Sequence, residues 1–197
     1  MLDFGDNSNN CANCHQSRRA EPNIAAPGET FEITSTHYGP HHGAMANVLE
    51  GAGFAEIAGS TPYPAPSDGS GHLSVNATCV TCHMAPYNEG TGGHSWWPSL
   101  DACQPCHSGA ADFDINGFQT ATQTKLITLR DRLIELGVVE YVEEDEAYEP
   151  IIGTYPMAQA QAFFNWIGLT EDRSLGAHNP DYYTALLDNS LEALEDF

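Results

Sequence analysis

The sequence predicts a mainly α chain with extensive irregular loops and little β structure. Three observations predict it. Cys-x-x-Cys-His occurs three times, as Cys11-Ala-Asn-Cys14-His15, Cys79-Val-Thr-Cys82-His83 and Cys103-Gln-Pro-Cys106-His107. The last third of the chain carries apolar residues at helical spacing with capping residues at their ends. Polar stretches rich in Gly, Pro and His fill much of the remainder.

Each Cys-x-x-Cys-His unit is a c-type haem attachment signature. Two thiols so spaced can add to the two vinyl groups on one edge of a porphyrin, and the adjacent His reaches the iron as its proximal ligand. Paired Cys-x-x-Cys knuckles also build zinc ribbons, and six cysteines can build a disulfide framework. Neither alternative explains why His follows every second cysteine, or why no cysteine lies outside the motif. Cys11, Cys14, His15, Cys79, Cys82, His83, Cys103, Cys106 and His107 are therefore expected to hold three covalently attached haem c groups. In a chain of 197 residues, that implies a haem-filled core.

Charge narrows the partners. With 27 Asp and Glu against 6 Lys and Arg, the formal charge is -21. Nucleic acid is excluded, because phosphate binding needs a basic surface. Redox partner proteins and extracellular acceptors fit better. No run of 18 apolar residues exists, so no membrane span is expected. Residues 1–10, ahead of the first motif, are polar and acidic and form no secretory leader. Cytochrome c maturation takes place outside the bacterial or archaeal cytoplasm, so the expected compartment is extracellular or periplasmic. A leader has then been removed, or the chain is part of a longer one.

Two units are expected: residues 1–71, a one-haem lobe with a His-rich loop and a Pro/Gly linker, and residues 72–197, a two-haem unit with C-terminal helices. After the first motif, Arg18 and Arg19 either reach haem propionates or form a solvated turn. His37, His41 and His42 then cluster beside Gly and Pro, where a loop can cross something that binds imidazole. A short apolar run covers 45–57, and residues 59–71 are loop by composition. Asp112, Asp114 and Asn116 match the front half of a calcium loop, but Gln123 stands where a bidentate Glu is needed. The alternative is a turn that starts the next helix.

That helix is expected over 119–136, with Leu126, Leu129, Leu133 and Ile134 as its apolar stripe and Gly137 as its C-cap. Residues 140–149 read as a solvated acidic loop. A second helix over 157–169 carries Phe163, Phe164, Trp166 and Ile167. A third begins at Asn179-Pro180, Asn as N-cap and Pro at the first helical position, and Leu186, Leu187, Leu191 and Leu194 form its buried face.

Three distal iron positions remain for His37, His41, His42, His72, His94 and His178, with Met45 and Met157 as competitors. Met84 follows a proximal His directly and cannot reach the opposite face. The surplus of His over Met favours bis-His, low-spin haems without an open site.

The order His72, six residues, Cys-x-x-Cys-His-Met, His94, Cys-x-x-Cys-His, long helices and His178-Asn-Pro resembles the C-terminal part of the multihaem cytochrome family that includes pentahaem nitrite reductase. The resemblance runs from His72 to the C-terminus. The front segment, Cys-x-x-Cys-His-x-Ser-Arg and then Gly-Pro-His-His-Gly, is similar to the corresponding part of larger multihaem cytochromes. The resemblance implies that His72 ligates the haem of His107 and that His178 ligates the haem of His83. It implies that His94 serves an earlier haem, of which only that of His15 lies in this chain. Alternatively His94 binds a haem on another subunit, and His41 or His42 completes the haem of His15. The Cys-x-x-Cys-Lys motif of the catalytic haem in those reductases is absent, so an electron carrier rather than an enzyme is expected. Such a carrier could be polymerised into a conductive filament, with residues 30–71 as the contact. It could instead be a soluble periplasmic protein, or an electron-delivering subunit or fragment of a multihaem reductase.

Overall fold

The three longest helices lie where periodicity and caps put them. The structure, a computed structural model, describes residues 2–22, 29–41, 43–65 and 70–197. In chain order its elements are α1 (Ser8–Ala12), β1 (Thr30–Ile33), α2 (Met45–Glu50), α3 (Gly71–Ser74), α4 (Cys79–His83), α5 (Leu100–Cys103), α6 (Phe118–Glu135), β2 (Val139–Val142), β3 (Ala147–Pro150), β4 (Gly153–Pro156), α7 (Met157–Asp172) and α8 (Pro180–Glu192). The chain is mainly α, with short strands and extensive loops between the helices.

Helix α6 starts where Asp114 Oδ1 accepts from the backbone N–H of Gln119 at 2.7 Å and of Thr120 at 3.2 Å, while Oδ2 accepts from Thr120 Oγ1 at 2.5 Å. The Asp112–Gly117 stretch is thus the turn that opens α6. It ends at Gly137, whose φ of +69° suits a residue without Cβ. There the N–H of Gly137 bonds Ile134 O and the N–H of Val138 bonds Leu133 O, both at 2.9 Å, which satisfies two terminal carbonyls. Leu126, Leu129 and Leu133 face the core, whereas Ile134 is 39% exposed and does not belong to the stripe expected of it. At α8, Asn179 Oδ1 accepts from the N–H of Tyr182 and Pro180 opens the helix. Leu186, Leu187 and Leu194 are buried, with Leu191 packed at the margin.

The acidic stretch 140–149 is not a loop. β2 and β3 pair antiparallel with Tyr141 opposite Tyr148, and those rings lie 5.0 Å apart. Arg130 stacks on the Tyr148 ring at 4.8 Å. Buried Val139 and Pro150 face each other at the inner end of the ladder. The hairpin turn holds Glu143 to Glu146 in water, so the charge pattern that suggested a loop belongs to the tip alone. β1 pairs with β4, from Thr30 opposite Pro156 to Ile33 opposite Gly153.

Pairing of β1 with β4 also fixes where the core sits. Ile33, Ala44, Val48, Phe54, Ala55 and Ile57 join α6, α7 and α8 in one apolar cluster. The apolar run 45–57 is helical only as far as Gly51, which has φ +79°. Beyond it the extended chain is held on α7 and α8 by two asparagines. Asn165, fully buried, accepts from the N–H of Ala55 at 2.9 Å and donates to its carbonyl at 2.8 Å. Asn189 does the same for Thr61, at 3.0 and 2.8 Å. Residues 29–63, ahead of the expected boundary at 71/72, thus share the core of the C-terminal helices. Among the described residues, 70–117 contribute nothing to that cluster. The side-chain core and the haem-signature stretch occupy different parts of the chain.

Candidate functional site

Each Cys-x-x-Cys-His signature closes one helical turn. The N–H of His15 bonds Cys11 O at 2.8 Å, and the N–H of His107 bonds Cys103 O at 2.8 Å. The second signature is α4 itself, opened by a capping box in which Thr78 and Thr81 satisfy each other's backbone N–H groups. A turn closed in this way places both thiols and the imidazole around one point. All six cysteines are unpaired. Burial pushes the thiols of Cys79, Cys82 and Cys103 up from their ordinary values.

The three turns dock in series. Asp6 Oδ2 accepts from Thr78 Oγ1 at 2.7 Å, and Ser8 Oγ, fully buried, accepts from the N–H of Val80 at 3.1 Å. These bonds join α1 to α4. The N–H of Ser99, at the start of α5, donates to Cys82 O at 3.2 Å and joins the second turn to the third. In consequence Cys11 lies close enough to Cys79 to raise the Cys79 thiol further, and Cys103 close enough to Cys82 to raise the Cys82 thiol further.

Two pairs of imidazoles face one another. The ring centroids of His72 and His107 are 6.4 Å apart at 73°, and those of His83 and His178 are 6.3 Å apart at 40°. Two metal–nitrogen bonds of about 2 Å, with about 1.1 Å from each ligating nitrogen to its ring centre, span ~6.2 Å. Both gaps are therefore the width of one metal ion. His72 stands on α3, whose first turn is capped by Ser70 Oγ accepting from the N–H of Leu73 at 3.1 Å.

In the second pair both Nδ1 atoms are already engaged. His83 Nδ1 donates to Trp96 O at 2.8 Å, and His178 Nδ1 lies 2.6 Å from Asp172 Oδ1. That leaves Nε2 of each ring for the metal. Withdrawal from water lowers the pKa of His178, but the Asp172 charge and hydrogen bond raise it by more, so the imidazole is held above its ordinary value. Donor type, tethering thiols and gap width together fit a covalently attached haem between each pair.

Among the described residues, neither His15 nor His94 faces another imidazole in this way. His15 is exposed, with Nδ1 beside Gly43. An added Cβ at Gly43 would meet Met45 Sδ at 3.0 Å and His15 Nδ1 at 3.2 Å, and its φ is +77°, so the chain passes His15 only as glycine. His41 is exposed at φ +77°. His42 lies outside the described residues. His94, in the turn Gly93–Ser95, is exposed, and its ring packs edge-on to Trp96 at 5.7 Å rather than on another imidazole. Arg19 Nη1 donates to the carbonyl of His37 at 2.9 Å. Met157 is buried at the start of α7. Among the described residues no three His, Cys, Asp or Glu side chains gather as a metal site would require.

Three contributors were invisible in the sequence: Asp172, the Trp96 carbonyl and Ser8. Asp172 closes α7 six residues before His178, a spacing with no local signature. A backbone carbonyl has none by nature.

No family model matches this chain, and no curated protein matches it. Among solved structures the chain is similar to the crystal structure of the outer cell wall cytochrome OcwA, with a TM-score of 0.53 at 20% identity. The match covers 78% of this chain and 30% of that one. At this identity the likeness is one of fold.

Proposed function

We propose that this chain is a trihaem c-type cytochrome that transfers electrons and catalyses no reaction of its own. The observation that carries the reading is the pair of histidine couples, His72–His107 and His83–His178, each one metal ion wide and each including the His of a Cys-x-x-Cys-His turn. Bound haem would supply a one-electron couple. The protein's part is to hold it. Cys11, Cys14, Cys79, Cys82, Cys103 and Cys106 tether three groups, His15, His83 and His107 bind their proximal faces, and His72 and His178 close two of the distal faces. A metal ion closed on both sides has no position for substrate. The docking of α1 on α4 and of α4 on α5 sets the attachment edges in sequence, which suits stepwise electron passage along the chain.

The fold shared with an outer cell wall cytochrome and the charge of -21 suit an extracellular or periplasmic site with redox proteins or oxidised acceptors as partners. Among the described residues no helix is long and apolar enough to cross a membrane.

A second reading, assembly of copies into an oligomer or filament, is favoured by one surface. Tyr87, Trp96 and Trp97 are 69, 55 and 68% exposed around exposed His94, an apolar patch that invites a partner. In this reading His94 ligates the haem of His15 in a neighbouring copy. A charge of -21 on each copy opposes stacking, so apolar contact and shared ligation have to offset it.

The test is a haem assay on the purified chain with carbon monoxide added to its reduced form. Three haems per chain, with no adduct at the haems of His83 and His107, support the reading. An adduct at either of these two overturns it. Light scattering and electron microscopy separate the lone carrier from the assembled one.

A further inference from the structure

We propose that Asp172 is a positioning residue that makes His178 the strongest donor among the four paired histidines and selectively lowers the potential of the haem of His83. The inference rests on the bis-His reading above.

The Asp172 side chain is fully buried at the C-terminal end of α7. This is an unfavourable place for a carboxylate. The helix dipole presents its negative end there, and burial of an anion without a cation is costly. The described ion pairs that use Lys or Arg, Lys125–Asp188, Arg130–Asp131 and Arg132–Glu135, lie elsewhere. The partners of Asp172 are His178 through Oδ1 and Ser174, whose hydroxyl and N–H both donate to Oδ2.

The connection from α7 to α8 is shaped to bring these groups together. Arg173, Leu175 and Gly176 all have positive φ, at 59, 49 and 91°. An added Cβ at Gly176 would meet Phe118 Cε1 at 2.6 Å. Ser174 Oγ also accepts from the N–H groups of Gly176 at 3.2 Å and His178 at 3.4 Å. A loop that tolerates two non-glycine residues in left-handed conformation to place one imidazole on one carboxylate is built for that contact.

The four paired imidazoles are consequently unequal. His178 donates to an anion and His83 to a neutral carbonyl. Among the described residues the rings of His72 and His107 have no hydrogen-bond partner. A carboxylate on the outer nitrogen shifts electron density to the ligating one, and its charge stabilises the more positive, oxidised metal. Asp172 therefore lowers the potential of one haem selectively.

The experiment is a redox titration of the full haem-loaded chain, resolved haem by haem by magnetic resonance, in native protein, Asp172→Asn and Ser174→Ala. Asp172→Asn keeps the shape and an oxygen to accept from His178, but removes the charge and the second acceptor used by Ser174. It is expected to keep the haem of His83 low-spin and to move its reduction equilibrium about tenfold toward the reduced form, ~59 mV for one electron. The other two haems should stay put. Ser174→Ala frees Oδ2 from the hydroxyl, strengthens the carboxylate as an acceptor, and should move the same haem the opposite way. Unchanged potentials in both variants, or equal shifts at all three haems, overturn the proposal and leave Asp172 a structural brace. A variant that does not fold leaves the other to decide. A native His83 haem that is not bis-His refutes the functional reading itself, and is seen before any variant is made.

Discussion

Replacing His72 with Ala isolates one ligand with little cost to the fold. His72 stands on the four-residue helix α3, only partly buried, and the cap of that helix runs from Ser70 to Leu73 without it. No residue of this helix belongs to the core cluster, so thermal stability should change by less than about 1 kcal/mol, as for a surface substitution. The iron side of His107 loses the imidazole whose ring centre lies 6.4 Å away. On the proposed count of three haems per chain, the absorbance of one low-spin haem should convert to high-spin, and carbon monoxide uptake should rise by one per chain. Imidazole added to the solution should reverse both changes. The assay is visible and near-infrared spectroscopy of oxidised and reduced protein at equal haem content. An unchanged spectrum with unchanged uptake would refute the reasoning, since the facing of His72 and His107 would then be a contact without a ligand role.

Other perturbations separate the fold from the haem sites. Asn165→Leu leaves the N–H and carbonyl of Ala55 without partners in the core, and should cost about 3 kcal/mol in denaturant unfolding while the haem spectra stay native. Gly168→Ala would drive a Cβ to 2.5 Å from Phe54 and 2.7 Å from Pro40. A loss of about 2 kcal/mol is expected, read in the same unfolding curves. The Asp6 carboxylate is held below its ordinary value chiefly by the Thr78 hydroxyl. Its contribution is therefore complete above the usual aspartate range and is lost as pH falls through the lower folded value. Acid titration followed by amide exchange in α1 and α4 should show that loss, and Asp6→Asn should remove it.

Legibility in the sequence followed the range of the interaction. Helices α6 and α8 could be read because their signals are local: Leu126, Leu129 and Leu133 at helical spacing, Gly137 at one end, Asn179-Pro180 at the start of the other. The three Cys-x-x-Cys-His turns were legible for the same reason, since thiols and imidazole lie within five residues. The hairpin β2–β3 was missed because its tip carries the acidic run, and charge masked the Tyr141–Tyr148 pairing on either side. β1 was missed because its partner β4 lies more than a hundred residues away, and no local pattern announces such a pairing. The packing of residues 29–63 on α7 and α8 depends on Asn165 and Asn189, which in sequence look like any polar residue on a helix. The facing of His72 with His107 and of His83 with His178 was expected from resemblance and not from spacing, and Asp172 was not expected at all.

The most direct measurement is an experimental density map of the haem-loaded chain. The account predicts one iron between Nε2 of His72 and Nε2 of His107, and another between Nε2 of His83 and Nε2 of His178, with thioether bonds to Cys103 and Cys106 and to Cys79 and Cys82. Either iron bound on its distal face by another group, or left open there, would contradict it.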